Sequence, residues 1–282
     1  MRVTFLGCGQ MGRAMASALL QSRKADTSQR LTLSVKSQKS QSELQKQFAK
    51  YHEHIKVLRG QNVEAAREAD TIVLAHMPFM LKDILLEKGM RDAFKGKLVI
   101  SILAGINAQK IQDALGIPDG QREYELIRAM PNLATSLRES MTVVKEPGPD
   151  ASTESLGKAI KILEQFGSTV MVPDETYHTA GILTGAYFAL TSIALDGMAD
   201  ASLDAGMTQS QINAVAIQCL KGWVKLLEQG KTPAQVREFL SAPEGASYQG
   251  IATLDRANTQ ATFAEAVERA TDRAKELEER GN

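Results

Sequence analysis

Arg2-Val-Thr-Phe-Leu-Gly7-Cys-Gly9-Gln-Met-Gly12-Arg-Ala-Met-Ala16 runs a short apolar strand into a glycine turn and then into a helical pattern. The spacing Gly7-x-Gly9-x-x-Gly12 between a strand and a helix is the arrangement that holds a dinucleotide pyrophosphate. Gly7 permits the tight turn, Gly9 lets the backbone approach the phosphates, and Gly12 lets the helix pack close to the strand. Unpaired amides at a helix start attract the anion. Gly7, Gly9, Gln10, Met11 and Gly12 are therefore the candidate pyrophosphate set. A glycine turn required only by backbone geometry is the alternative.

The next strand, Leu31-Thr-Leu-Ser-Val-Lys-Ser37, should reach the adenosine ribose with its tip. A site for NADH usually places Asp or Glu there to bond the 2′-hydroxyl, whereas a 2′-phosphate wants cations and hydroxyl donors. No acid stands at this tip, and Ser34, Lys36 and Ser37 favour NADPH over NADH. A solvated polar loop is the alternative, because the residues that follow are polar as well.

Length and charge narrow the class. A chain of 282 residues can bury one large core or two modest ones. Lys plus Arg and Asp plus Glu both number 33, so no overall field attracts nucleic acid or an anionic membrane, and a small molecule is the expected partner. Cys8 and Cys219 are too few for a disulfide framework or a zinc site, which suits a reducing cytoplasm. The N-terminal stretch lacks the apolar core of a signal peptide, and no run approaches 18 uninterrupted apolar residues. The expected location is the cytosol.

Strand-like runs recur at 54–58, 71–75, 97–103, 124–128 and 141–144, with amphipathic segments between several of them. This pattern predicts a doubly wound parallel sheet with helices on both faces. A helix over 152–166, a stop at Gly167 and a strand at 169–172 close this domain, so the dinucleotide-binding part is expected over 1–172. From 173 to 282 the pattern is all helical. Thr208-Gln-Ser-Gln211 and Thr232-Pro-Ala-Gln235 are capping boxes, and Gly206 and Gly230 sit where helices should stop. The segment 183–205 is apolar and rich in small residues, so a second helix, from another subunit, is expected to cover it. Asp196, Asp200 and Asp204 recur every four residues; like charges at that spacing repel, so some should have partners, with a solvated stripe as the alternative.

The four histidines, His52, His54, His76 and His178, do not have metal-ligand spacing. His76 follows a sheet strand at the rim of the nucleotide site, with no carboxylate partner evident in sequence. No nucleophile elbow or paired-carboxylate pattern stands out, and hydride transfer needs neither.

Phe5-Leu-Gly-Cys-Gly-Gln-Met-Gly12, Ile100-Ser-Ile-Leu-Ala-Gly-Ile106, Arg128-Ala-Met-Pro-Asn132, Glu139-Ser-Met-Thr142 and Ala194-Leu-Asp-Gly-Met-Ala-Asp200 resemble the pyrroline-5-carboxylate reductase family, as does the closing helix. The resemblance implies NAD(P)H-dependent reduction of a cyclic imine, pyrroline-5-carboxylate to proline or a related cyclic imino acid, in a dimer or larger homo-oligomer. It adds Ala75, Pro78 and Ala104 to the cofactor set, where the family's VKP reads His76-Met-Pro78. For substrate it implies Asn132, Thr184, Gly185 and Ser247, with backbone amides and hydroxyls doing the holding. The family's LSGSGPAY reads Leu183-Thr-Gly-Ala-Tyr-Phe-Ala-Leu190 here, and SPGGTT reads Ala242-Pro-Glu-Gly-Ala-Ser247. Ala186, Glu244 and Ala246 therefore depart from the pattern, and a threonine position near the imine in some members is Ile193. Lost donors and an added carboxylate should weaken proline-type substrates.

From Ile162 through Leu220 there is no Lys or Arg, which fits poorly with the β-hydroxyacid dehydrogenases and their lysine on the first helix after the nucleotide domain. An imine nitrogen can be protonated before hydride arrives, so positioning and exclusion of water suffice. A non-catalytic dinucleotide-binding homologue is the alternative that the altered loops leave open.

Overall fold

The computed structural model describes residues 1–22, 29–121, 123–148, 151–242 and 245–280. The chain alternates β1 (Arg2–Leu6), α1 (Gln10–Gln21), β2 (Arg30–Val35), α2 (Gln38–Gln47), β3 (Ile55–Arg59), α3 (Asn62–Glu68), β4 (Thr71–Leu74), α4 (Leu81–Leu85), α5 (Met90–Phe94), β5 (Leu98–Ser101), α6 (Ala108–Ala114), β6 (Glu125–Met130), β7 (Ser140–Lys145), α7 (Thr153–Leu163) and β8 (Gly167–Val172). Helices alone follow: α8 (Asp174–Asp204), α9 (Gln209–Glu228), α10 (Pro233–Phe239), α11 (Ala246–Arg256) and α12 (Thr259–Arg280). The architecture is a doubly wound α/β sheet followed by an all-helical segment, as the pattern predicts.

The strands form one sheet in the order β3-β2-β1-β4-β5-β6-β7-β8. β4 and β5 are buried at every position, as apolar runs covered by helices on both faces must be. Val3, Phe5, Leu33 and Ile100 pack on the side of α1, α2 and α7, while Leu6, Ile72, Leu74 and Val99 pack on the side of α3 to α6. Period-2 alternation along each strand makes this division.

One strand departs from the expected parallel sheet. β7 runs antiparallel to β6, pairing Ala129 with Val144 and Met130 with Val143. The link from Pro131 to Glu139 is too short for a crossover, which takes a dozen or more residues. β8 returns parallel to β7 after α7. Gly167 starts β8 with φ of 143°, and a Cβ there would meet the Ser140 carbonyl oxygen at 2.2 Å. The chain passes there only because that residue has no side chain.

Two compact units result: residues 1–185 with 270–282, and residues 186–269. The change from strands to helices at 172/173 does not coincide with this division, because the first turns of α8 and the last turns of α12 pack on the sheet. Tyr177 is buried there, and Gly181 lies against the Met130 thioether. In the helical unit both capping boxes form, at Thr208 with Gln211 and at Thr232 with Gln235, the second with proline in the first turn. Gly206 and Gly230 take the positive φ that ends a helix. Within residues 186–269, Ile212 is the sole buried side chain among the described residues. Phe188, Ile193, Met198, Val215 and Ile217 are exposed. Asp196, Asp200 and Asp204 are exposed too and make no ion pair among the described residues, so the expected partners are not found there. Among the described helices α8 is the one long and apolar enough to cross a membrane, by length and composition only.

Candidate functional site

β1 lies between β2 and β4, so the chain reverses its direction of sheet growth at the carboxyl ends of β1 and β4. Open α/β sheets bind ligands at such a point. Gly7 leaves β1 with φ of 84°, and a Cβ on it would meet His76 Cα, beyond β4, at 2.5 Å. A Cβ on Gly12 would touch the Gly7 carbonyl at 3.3 Å and Ala75 at 3.4 Å, so this glycine sets how closely α1 approaches the sheet. Gly9 differs from both: nothing lies within 4 Å of a Cβ built there. That space opens into a cleft of about 780 Å³.

Gly9 is also the N-cap of α1, with no side chain capping the helix and no acid in the first turn. The free amides and the positive helix end are thus available to an anion. Open space at Gly9, a bare helix start and a cleft at the switch point fit a dinucleotide pyrophosphate.

The cleft is lined by Gly9, Gln10, Met11, Ala75, Ala104, Asn132, Thr184 and Gly185 of the expected residues. Gly7 and Gly12 do not line it; they act through the close packing of the turn and of α1 against the end of β4. Asn132 is buried at the end of β6; its Oδ1 accepts from Ala134 N at 3.0 Å, capping a short 3-10 turn, and its own N–H donates to Ser140 Oγ at 3.1 Å. Thr184 Oγ1 donates to the Gly181 carbonyl at 2.8 Å.

Several expectations need correction. α8 is continuous through Thr184 and Gly185, so their amides are committed to the helix ladder and do not serve as free donors. Ser34 is fully buried, and its hydroxyl donates to Asn62 Oδ1 at 2.7 Å. Strand alternation turns it toward α3 and away from any phosphate. Pro78 begins a 3-10 turn that carries it to a neighbouring groove with Phe79 and Leu81. Lys36 and Ser37 do stand at the β2 tip. Ser37 caps α2, accepting from Ser40 N at 3.1 Å, and the Lys36 ammonium lies 3.8 Å from Asp83, both side chains largely exposed. Ser247 sits in the first turn of α11, in the helical unit, while Glu244 lies outside the described residues.

His76 lines the cleft but its ring is buried. Nδ1 donates to the Met77 carbonyl at 2.8 Å, Nε2 has no partner, and burial holds the imidazole below its ordinary pKa. It is a buried wall residue with no carboxylate on its ring among the described residues. Among the described residues no group of His, Cys, Asp or Glu has metal-site geometry.

Sequence reasoning missed Arg13, Ser17, Gln47, Met130 and Gly181, which also line the cleft. A signal existed for the first two: Gln10, Arg13 and Ser17 recur at helical spacing on one polar stripe of α1. Arg13 pairs with Glu43 at 2.8 Å. Missed as well was a cluster in which Arg128 makes two bonds to Glu278, at 3.0 and 2.5 Å, and Glu278 accepts from His178 Nε2 at 3.1 Å.

A doubly wound sheet with a bare helix start and a cleft at its switch point is the arrangement of a dinucleotide-binding protein, and the family matches make it an oxidoreductase. Residues 2–105 match the family model described as NADP oxidoreductase coenzyme F420-dependent, and residues 174–277 match that described as pyrroline-5-carboxylate reductase dimerisation. A pyrroline-5-carboxylate reductase of Lophium arboricola is 31% identical over 96% of this chain and 92% of its own length. One of Schizosaccharomyces pombe is 30% identical over 96% of this chain and 97% of its own. The chain belongs to the pyrroline-5-carboxylate reductase family. Its fold is that of the Plasmodium falciparum pyrroline carboxylate reductase crystallised with NADP bound, which superposes with a TM-score of 0.84 at 21% identity, covering 99% of this chain and 98% of the other. The apolar helix α8 falls within the segment that matches the dimerisation model.

Proposed function

We propose that this chain reduces pyrroline-5-carboxylate, or a closely related cyclic imino acid, with NADPH as the hydride source, and that it does so in the cytosol as a homodimer or a multiple of one. The observation that carries the reading is likeness along almost the whole length to two reductases of that name, joined to a cleft built for a dinucleotide. When bound, a reduced nicotinamide supplies the hydride. The protein's own residues position and enclose. Gly9, Gln10 and Met11 receive the pyrophosphate at the α1 start, Ala75 and Ala104 line the wall, and Asn132, Thr184 and Gly185 hold the substrate end. Ser247, which the family resemblance implies for substrate, lies in the first turn of α11.

Purified protein is expected to oxidise NADPH with pyrroline-5-carboxylate and to release proline. Absence of turnover with this and a panel of six-membered cyclic imines overturns the proposal in favour of a non-catalytic homologue.

The preference for the phosphorylated cofactor rests on Lys36 and Ser37 at a tip without an acid. The Lys36–Asp83 pair is long and exposed, so it competes weakly with a phosphate. Lys36→Glu should raise the KM for NADPH at least tenfold, the equivalent of ~1.4 kcal/mol, while moving that for NADH much less. If wild-type protein uses NADH and NADPH equally well, the assignment fails.

Assembly follows from the helical unit, 186–269, in which Ile212 alone is buried among the described residues and many apolar side chains are exposed. Such a surface is stable in water when a second copy covers it. Light scattering at micromolar concentration should give a dimer mass or a multiple, and Ile193→Glu should shift it toward monomer. A monomeric wild-type mass overturns this part.

A further inference from the structure

Two segments run side by side to the substrate end of the cleft. Arg128 and Met130 lie on one face of β6, by the period-2 alternation of a strand, and Asn132 follows two residues on. His178, Gly181, Thr184 and Gly185 recur at helical spacing on one stripe of α8. At the top of this pair of segments, Asn132 and Thr184 line the cleft. Below them a Cβ on Gly181 would meet the Met130 Sδ at 2.4 Å, so the helix rests directly on the thioether. At the foot, Arg128 and His178 are joined through a single carboxylate, that of Glu278 on α12. The Arg128 guanidinium donates to Oε1 at 3.0 Å and to Oε2 at 2.5 Å, and His178 Nε2 donates to Oε2 at 3.1 Å. The carboxylate itself is rooted, because the backbone carbonyls of Leu277 and Glu278 accept from the Lys110 ammonium of α6 and a Cβ on Gly105 would meet that of Leu277 at 3.2 Å. Glu278 does not line the cleft.

We infer that Glu278 is a positioning residue for the reduction: by bonding β6 through Arg128 and α8 through His178 at once, it fixes the spacing of Asn132 and Thr184 at the substrate end of the cleft. This rests on the reductase reading above and deepens it. Charge-assisted, bidentate bonds are directional, so they set a distance and an orientation. An apolar contact in the same place keeps the segments together without fixing either. The position of α8 against β6 is thereby decided at the clasp and carried upward through the Met130–Gly181 contact, since a strand and a helix are stiff over so few residues. The pyrophosphate set belongs to the β1–α1 turn, which the clasp does not touch. Loss of the clasp therefore falls on the imine and spares the cofactor.

The double variant Arg128→Met, Glu278→Leu separates positioning from stability. It removes both charges together, so apolar packing restores much of the stability while the directional bonds are gone. Its kcat/KM for pyrroline-5-carboxylate should stay roughly tenfold or more below wild type, because small misplacements at a reacting centre cost at least that much. Its affinity for NADPH, read by fluorescence titration, should remain within about twofold of wild type. His178→Phe keeps the buried ion pair and a ring beside Tyr177 but cuts the bond to α8. That variant should lose roughly threefold or more in kcat/KM for the imine at a nearly unchanged thermal midpoint, and His178→Gln, which still carries an N–H, should recover part of the loss. If the double variant does not fold, the two His178 variants decide. Wild-type kcat/KM regained along with stability in the double variant overturns the assignment, as do wild-type imine kinetics in His178→Phe. A fall in NADPH affinity that parallels the loss on the imine shows general loosening and overturns it too. All three outcomes leave the reductase reading intact, whereas no turnover by wild type overturns the reading and the assignment together.

Discussion

Replacing Glu278 by alanine is expected to lower the thermal midpoint by roughly 6–20 °C, far more than the loss of any surface ion pair. Removing one partner of a buried charge pair costs about 3–5 kcal/mol, and each kcal/mol moves the midpoint of a chain this size by roughly 2–4 °C. The Arg128 side chain is 7% exposed and that of Glu278 15%. Arg128 also stacks over the Tyr177 ring, 4.9 Å from its centroid, and so cannot turn out to water without giving up that contact. Glu278→Ala leaves this guanidinium buried without a counter-charge and leaves His178 without its acceptor. The backbone carbonyls of Leu277 and Glu278 still accept from the Lys110 ammonium in this variant, so the loss is that of the buried carboxylate. Arg128→Met combined with Glu278→Leu should recover much of the loss, since no charge then remains uncompensated. Glu228→Ala, which removes an exposed pair with Lys225 at 2.7 Å, serves as the control and should move the midpoint little. Equal midpoints for Glu278→Ala and the control would show that the buried pair contributes nothing.

The glycine turn gives the second large effect, and it separates folding from binding. Gly7→Ala places a side chain where φ is 84° and where His76 Cα stands 2.5 Å away. Strain of this kind costs about 1–3 kcal/mol by itself, and the opposing atoms are backbone of the central strand's end, so cofactor affinity and stability should fall together. Gly9→Val adds a Cβ that has no atom beyond its chain neighbours within 4 Å. Its melting point should stay near wild type while the affinity for NADPH drops at least tenfold, because the methyl groups fill the space that the pyrophosphate takes. NADPH fluorescence titration beside a thermal melt reads both. Retention of full affinity in Gly9→Val sinks the assignment of this turn to the pyrophosphate.

Much of the fold was legible along the chain. The strand at 2–6, the glycine turn and the helix after it, the capping boxes at Thr208 and Thr232, and the stops at Gly206 and Gly230 are all local features, fixed by residues within a few positions of one another. β7 was legible as a strand but not in its direction, which depends on the length of the link and on which neighbour it finds. The cleft was half legible. Gly9, Gln10, Met11, Ala75, Ala104, Asn132, Thr184 and Gly185 reach it, whereas Ser34 and Pro78 do not, because one turns into the sheet face and the other leaves on a 3-10 turn.

By itself the sequence determined the class of fold and the glycine turn proposed for the pyrophosphate, because strand, turn and helix propensity and glycine geometry act over a handful of residues. Only the tertiary structure decided what each polar group does. Arg128 and Glu278 are 150 positions apart and form one buried bond, and neither betrays the other in sequence. Thr184 and Asn132 bond to Gly181 and Ala134, only three and two positions away, yet it is packing that brings the two residues to one cleft. Local bonds follow from neighbours along the chain, whereas which residues share a pocket or a buried charge pair is set by packing.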